Sequence, residues 1–245
     1  VLTGTDDVER LFSNAPQLAA GATEAEHFAG VEVFQAMFEM RVGAREAVLP
    51  PGLHPTNPPT LIVLAWRPRE SPWGPFALAQ VRIGCRSGVR TRGLVVGCGC
   101  DDDTAAAALA ARWGLGSRPA QVALDRRYDA VRLDVAFDGR PVLSIDALDP
   151  DPLAPHDVQY TGTLTPARTS RGPRLVQLEP QYETERAERL HPRLEHFDAG
   201  AWGDARLSPY HPVSASISVA RVTLPPPRFM CRPDALAFVG TERVA

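Results

Sequence analysis

Few side chains in this sequence combine a reactive type with a telling position. His54 ends the turn Leu49-Pro50-Pro51-Gly52-Leu53-His54. It could act as a general acid or base, since histidine is the side chain that changes charge near neutrality; a solvated turn residue is the plainer reading. Glu39 lies on an alternating segment and could carry a carboxylate to an interior face, or point outward into water. Arg118 could hold a carboxylate or an enolate through charge-assisted hydrogen bonds, or pair with a neighbour at the surface. Ser117, beside it, has no nearby His/Asp pattern that would make it a nucleophile. His191 and His196 lie five apart in a charged stretch and read as solvated. Cys98-Gly99-Cys100 is too tight for an ordinary disulfide, and no second pair with metal-ligand spacing accompanies it. With Cys85 and Cys231, these read as buried apolar thiols in a reducing cytoplasm. Asp101-Asp102-Asp103 suits the N-terminus of a helix, where carboxylates favour the macrodipole, and calls for no metal.

Composition removes one mechanism outright. All 26 basic residues are arginine. Arginine stays protonated and cannot attack a carbonyl, so no side chain can form an imine. At surface positions the missing lysines, with the many Ala, Pro and Gly, fit the codon use of a GC-rich genome. Hydrophobic content of 44% and charged content of 22% are those of an ordinary globular protein. A net charge of −3 with interspersed signs argues against a nucleic-acid partner, which would ask for a concentrated basic face. No apolar run approaches the roughly 18 residues of a membrane span, and the N-terminus lacks the layout of a signal peptide. The expected partner is a small molecule, in the cytoplasm, with no cofactor.

The elements that must position these groups are mostly strands. Asp6 to Phe12 and Thr23 to Phe28 are short helix candidates, the second with Thr23 and Glu26 as a capping box, so residues 1–30 form a helical lead-in ended by Gly30. Val31 to Arg41 alternates as a half-buried strand does. Gly43 to Leu49 is a short helix stopped by the proline pair. Strands follow at Thr60 to Trp66, Phe76 to Cys85 and Leu94 to Cys100, then a helix from Ala105 to about Arg112. Gln121 to Leu124, Ala130 to Phe137 and Pro141 to Ala147 are strands, the last two joined by the hairpin signal Asp138-Gly139. Asp149 to His156 reads as a linker loop, Thr161 to Thr165 and Leu175 to Gln181 as strands, Glu183 to Leu194 as a solvated helix or loop, and Val213 to Leu224 as a long strand.

Between the alanine-rich helix and the next strand stands Ala111-Arg112-Trp113-Gly114-Leu115-Gly116-Ser117-Arg118-Pro119. This stretch resembles the signature loop of the acetoacetate decarboxylase superfamily, in which Trp-Gly-Phe-Pro-Lys-Lys presents the imine-forming lysine. Trp113 and Gly114 match that pattern, Leu115 and Gly116 replace Phe-Pro, and Ser117 and Arg118 replace the lysines. The Leu-Pro-Pro-Gly-Leu turn, Gly200-Ala201-Trp202 and a final strand running to Leu224-Pro225-Pro226 extend the resemblance from about Phe34 to Pro233. It implies one domain over residues 1–245, α+β and mainly antiparallel β: an acetoacetate-decarboxylase-like cone-shaped barrel with peripheral helices and the pocket inside.

Carried over position by position, the family arginine falls at Val33, its glutamate at Ala77 and a pocket methionine near Cys98. The resemblance therefore implies a pocket of Val33, Ala77, Gln80, Cys98, Trp113, Leu115 and Ser117, with Arg118, His54 and Glu39 as the polar groups able to do chemistry. Ala77 and Cys98 are expected to share a face, with Gln80 opposite. The implied protein is a homo-oligomeric, non-decarboxylating relative from secondary metabolism. It would act on a largely apolar, polyketide-like carbonyl compound by cyclisation, isomerisation or dehydration. A non-catalytic binding protein and an imine-independent decarboxylase are the alternatives. Treatment with acetoacetate and borohydride is expected to leave no reduced adduct on any barrel side chain by peptide mass mapping; such an adduct would contradict the reading of Ser117.

Overall fold

The computed structural model describes residues 2–18 and 20–244. The chain is built on strands β1 (Glu26–Met40), β2 (His54–Pro55), β3 (Thr60–Arg67), β4 (Leu78–Ser87) and β5 (Arg90–Cys100). Next come β6 (Arg118–Pro119), β7 (Gln121–Arg126), β8 (Ala130–Phe137), β9 (Arg140–Leu153), β10 (Thr163–Thr169) and β11 (Gly172–Leu178). The last four are β12 (Gln181–Phe197), β13 (Pro209–Leu224), β14 (Phe229–Cys231) and β15 (Thr241–Arg243). Helices are few: α1 (Val8–Leu11), α2 (Asp103–Trp113) and α3 (Ala237–Gly240).

All the strands join one sheet, ordered β15-β14-β11-β10-β5-β4-β3-β1-β13-β12-β9-β8-β7, with β2 on β4 and β6 on β5. Pairings are antiparallel except β5 with β10 and β5 with β6. The ladder is an open path, so it does not itself draw the expected cone-shaped closure. One connection folds it back: β7, at the end of the path, lies one residue beyond β6, which pairs with Gly99 and Cys100 of β5.

The middle of the sheet is covered on both faces, which is why β3 and β4 read as near-continuous apolar runs rather than alternating ones. One face carries Phe34, Ala36, Phe38, Val63, Val81 and Ile83 into a core completed by β8, β9 and Trp202. The other carries Val33, Leu64, Trp66, Leu78 and Cys98 against α2. In α2, Ala105, Leu109 and Trp113 recur every fourth residue and form the buried stripe. The Asp102 carboxylate caps its N-terminus by accepting from the Ala105 N–H at 2.7 Å. Gly114 ends it in the left-handed conformation, φ 66°, where a Cβ would also come within 2.9 Å of the Ala167 Cβ. Only glycine meets both demands.

Four expectations need correction. Thr23 to Phe28 is not a helix: β1 begins at Glu26, whose carboxylate pairs with Arg112 instead of closing a capping box. The helical lead-in over 1–30 therefore reduces, among the described residues, to Val8–Leu11. Gly43 to Leu49 forms only a 3-10 turn, Val42–Ala44, and further turns. Asp149 to His156 is not a loop throughout, because β9 continues to Leu153 past an irregular step with Asp149 at φ 55°. Glu183 to Leu194 lies inside β12, a 17-residue strand. Its charges gave no apolar alternation because much of the strand is solvated and carries ladder pairs such as Glu183–Arg221 and Arg189–Asp151.

Strand β5 lies close under the loop carrying Trp202. A Cβ on Gly97 would sit 2.8 Å from Trp202 Cε3 and 2.9 Å from its carbonyl oxygen. Backbone there cannot yield cheaply, so Gly97→Ala is expected to lower stability by about 1–3 kcal/mol. Chemical denaturation checks this, and an unchanged midpoint would show that the loop is free to lift.

Candidate functional site

The loop after α2 is fixed from behind. Trp113 is fully buried and its indole N–H donates to the Pro225 carbonyl at 2.9 Å. The N–H of Leu115 reaches back to Leu109 O at 3.2 Å, closing the helix end. Leu115 is buried, and the chain then passes through Ser117 to Arg118, which pairs with Gly99. A cavity of about 470 Å³ opens in front of this loop. Its walls are Leu115–Arg118, the stretch Val95–Cys98 of β5, Thr165 and Pro166 of β10, parts of the N-terminal segment Asp6–Pro16 and the loop Gly200–Asp204.

Two lining residues, Ser117 and Thr165, carry buried hydroxyls that find no hydrogen-bond partner among the described residues. Arg118 stands at the mouth, its side chain 55% exposed. It donates to Ala201 O at 3.0 Å, lies 4.5 Å from the centre of the Phe137 ring and approaches Asp138 at 3.7 Å. Burial pushes the Cys98 thiol far up from its ordinary pKa, with Cys100 adding to the rise. Cys98 is therefore a neutral wall group.

One side of the cavity is held by a closed cycle of charges. Asp6 accepts from Arg10 at 2.5 Å and from Arg206 at 2.9 Å; Asp204 accepts from the same two arginines at 2.8 and 2.6 Å. Both carboxylates are nearly buried. Burial alone would raise the Asp204 pKa, but hydrogen bonds from the Arg206 side chain and backbone, with the charge of Arg10, bring it below the usual carboxylate value. The hydrogen bond to Asp204 raises Arg206 in turn.

Of the residues singled out in the sequence, Leu115, Ser117, Arg118 and Cys98 line this cavity, and Trp113 braces the loop from behind. Val33, Ala77, Gln80, His54 and Glu39 do not line it. Val33 is buried opposite Trp66 and Ser218. Ala77 precedes β4 and gives its N–H to Asp101 at 2.6 Å. The ladder sets Gln80, not Ala77, directly opposite Cys98. The expected sharing of a face by Ala77 and Cys98 is thus corrected by register, since one step of phase turns a strand residue over. His54 bonds Leu2 O through Nδ1 at 2.9 Å, and Glu39 lies at the far end of β1 beside Thr60 and His211. Thr165 and the Asp6–Arg10–Asp204–Arg206 cycle were missed. No local pattern marks them, because the cycle joins positions some 200 residues apart. Among the described residues, no group of three or more His, Cys, Asp or Glu gathers to hold a metal.

No family model and no curated protein matches the sequence. Solved structures do. Acetoacetate decarboxylase from Legionella pneumophila superposes with a TM-score of 0.71 at 17% identity, over 91% of this chain and 88% of that one. The enduracididine biosynthesis enzyme MppR, bound to a condensation product of pyruvate and imidazole 4-carboxaldehyde, gives 0.65 at 16% identity, over 84% and 88%. An acetoacetate decarboxylase-like enzyme from Sphingomonas wittichii RW1 gives 0.65 at 13% identity, over 92% and 99%. The chain shares the fold of these structures.

Removing Arg206 leaves two nearly buried carboxylates to share Arg10. Arg206→Ala is expected to cost about 2 kcal/mol, less than the 3–5 of a fully buried pair because the guanidinium is 41% exposed. The Asp204 pKa is depressed in the folded state, so this contribution is complete above the unfolded value of about 3.9. It is lost as pH falls through the folded one. Urea midpoints of wild type and Arg206→Ala should therefore differ by a constant amount from about pH 5 to 7 and converge below about pH 4. A gap that persists in acid would deny Asp204 this role.

Proposed function

We propose that this protein is a cofactor-independent enzyme acting on a largely apolar, carbonyl-containing, polyketide-like small molecule by cyclisation, isomerisation or dehydration, and not through a Schiff base. The observation that carries the proposal is Ser117, followed by Arg118, in the wall of the 470 Å³ cavity, at the positions where the resemblance implies the lysine pair. Val48, Val95, Leu115, Phe137 and Trp202 give that cavity much of its surface. Its two carboxylates are tied to arginines, and its thiol is held neutral by burial. None of these is a base poised near neutrality.

The lining can bind, orient and exclude water, and it can offer hydrogen bonds to a carbonyl oxygen as negative charge grows there. Orientation alone accelerates an intramolecular reaction greatly when the reacting atoms are held close. Donors fixed in a dry pocket add to this by stabilising developing charge. The same reading takes the chain as one domain of a cytoplasmic homo-oligomer. The saturation of the charged cycle favours a second reading, a non-catalytic protein that holds such a molecule, since few polar groups are left to converge on a reacting centre.

The test is conversion of a synthetic linear poly-β-ketone, followed by mass spectrometry and NMR. Wild type is expected to change the rate or product distribution. Cys98→Trp, which fills the cavity, abolishes the effect, Arg118→Ala lowers it about tenfold or more, and the surface change Glu185→Ala leaves it intact. Binding of the polyketone without turnover selects the second reading. Full activity in Cys98→Trp with native circular dichroism would move the site elsewhere.

A further inference from the structure

Two arginines are buried. Arg92, 7% exposed, is ion-paired to Glu179. Arg82, 3% exposed on β4, has no carboxylate within 4 Å among the described residues. Its guanidinium presents five N–H donors. Nε donates to Gln80 Oε1 at 2.7 Å and Nη1 makes a long contact of 3.5 Å to Thr161 O. The titratable groups that face it are Tyr182 and Cys98. Burial raises the pKa of both, so neither supplies a counter-charge. An unpaired cation in a protein interior costs several kcal/mol, and a fold does not retain one without compensation.

Another donor with spare capacity stands near it. Arg82 packs over Gly93, where a Cβ would come within 3.1 Å of its Cδ. Gly93 pairs across the ladder with Thr163, whose buried hydroxyl has no hydrogen-bond partner among the described residues. The Trp66 ring lies edge-on to Tyr182, 6.0 Å between centroids, and walls this cluster on its other side. This cluster shares a wall with the cavity: Val95 and Cys98, which line the cavity, are the ladder partners of Arg82 and Gln80.

We propose that Arg82, with Gln80 and Thr163 beside it, is the anchor for an anionic oxygen pair of a small-molecule ligand that enters through the cavity past Cys98. The chemistry is a delocalised anion presenting two oxygens to a planar guanidinium. A carboxylate supplies it, and so does the enolate of a 1,3-dicarbonyl compound. The inference rests on the cavity being a small-molecule site, and it gives that site a charged inner pole in place of wholly neutral recognition.

Binding, not turnover, tests it, so it can fail while the proposed reaction stands, or survive if that reaction is not found. Hexanoate at ten times its Kd is expected to raise the wild-type melting temperature by about 3–5 °C, and the neutral hexanamide to leave it unchanged. Heptane-2,4-dione at neutral pH distinguishes the two sources: an enolate difference spectrum in the wild type assigns the site to 1,3-dicarbonyls, and a hexanoate shift without that spectrum assigns it to carboxylates. Arg82→Met without ligand should melt at or above the wild type, because a buried charge is removed, and should lose both responses. Arg82→Gln, which keeps a polar group there, should lose them too. Cys98→Trp should lose them with Arg82 in place. The inference is overturned if the wild type shows neither response, if either arginine variant keeps one, or if Arg82→Met melts lower or fails to fold, which marks a structural cation.

Discussion

Burial of the central strands on both faces is the constraint from which the rest of this protein follows. Once β1, β3, β4 and β5 have a core on each side, a polar side chain in the middle of the sheet has no route to bulk water. Every such group must be satisfied inside or left for something that comes in. Gln80 and Arg82 meet the condition in part by bonding each other. Ser117, Thr163 and Thr165 do not meet it at all among the described residues. An interior this apolar makes its few unmet polar groups the chemically informative ones.

The same constraint explains where space is left. Elements can approach closely only where side chains vanish: Gly97 lies under Trp202, Gly99 under Ala120 and Phe137, and Gly114 against Ala167. Around these contacts the loop after α2 is pinned by Trp113 to Pro225 O, and the opposite rim by Trp202 to Val142 O at 3.2 Å. The cavity is the volume that these two tryptophan-anchored loops do not fill. Its remaining side is closed by charges rather than by apolar packing, through the Asp6–Arg10–Asp204–Arg206 cycle.

Much of the fold was legible because long strands with apolar runs and tight turns leave strong local signals. The strand at Thr60 to Trp66, the Asp138-Gly139 hairpin and the alanine-rich helix with its Asp cap all followed from short stretches of sequence. Strand β12 escaped because alternation of charge with charge looks the same as a solvated helix when its neighbours are unknown. In the site, Leu115, Ser117 and Arg118 were found through a contiguous motif. Ala77 was placed by counting, and counting fails when phase slips by a single residue. Arg82 was passed over because nothing in a sequence distinguishes an arginine that reaches solvent from one that is sealed in.

The N-terminal segment Asp6–Pro16 contributes cavity wall yet forms no strand of the sheet. It is joined to the remainder by the fully buried Phe12, with Val8, Leu11 and Ala15 packed on the same core, by backbone hydrogen bonds to Leu49 and Arg168, and by the charged cycle. Cavity wall and core are therefore interleaved along one short stretch of chain, with Phe12 filling the core between neighbours that line the cavity. Changes at the exposed lining positions Ser13 and Asn14 can reshape what fits inside, while Phe12 beside them is held to the core, so selection on ligand preference has a few positions, not a whole segment, on which to act.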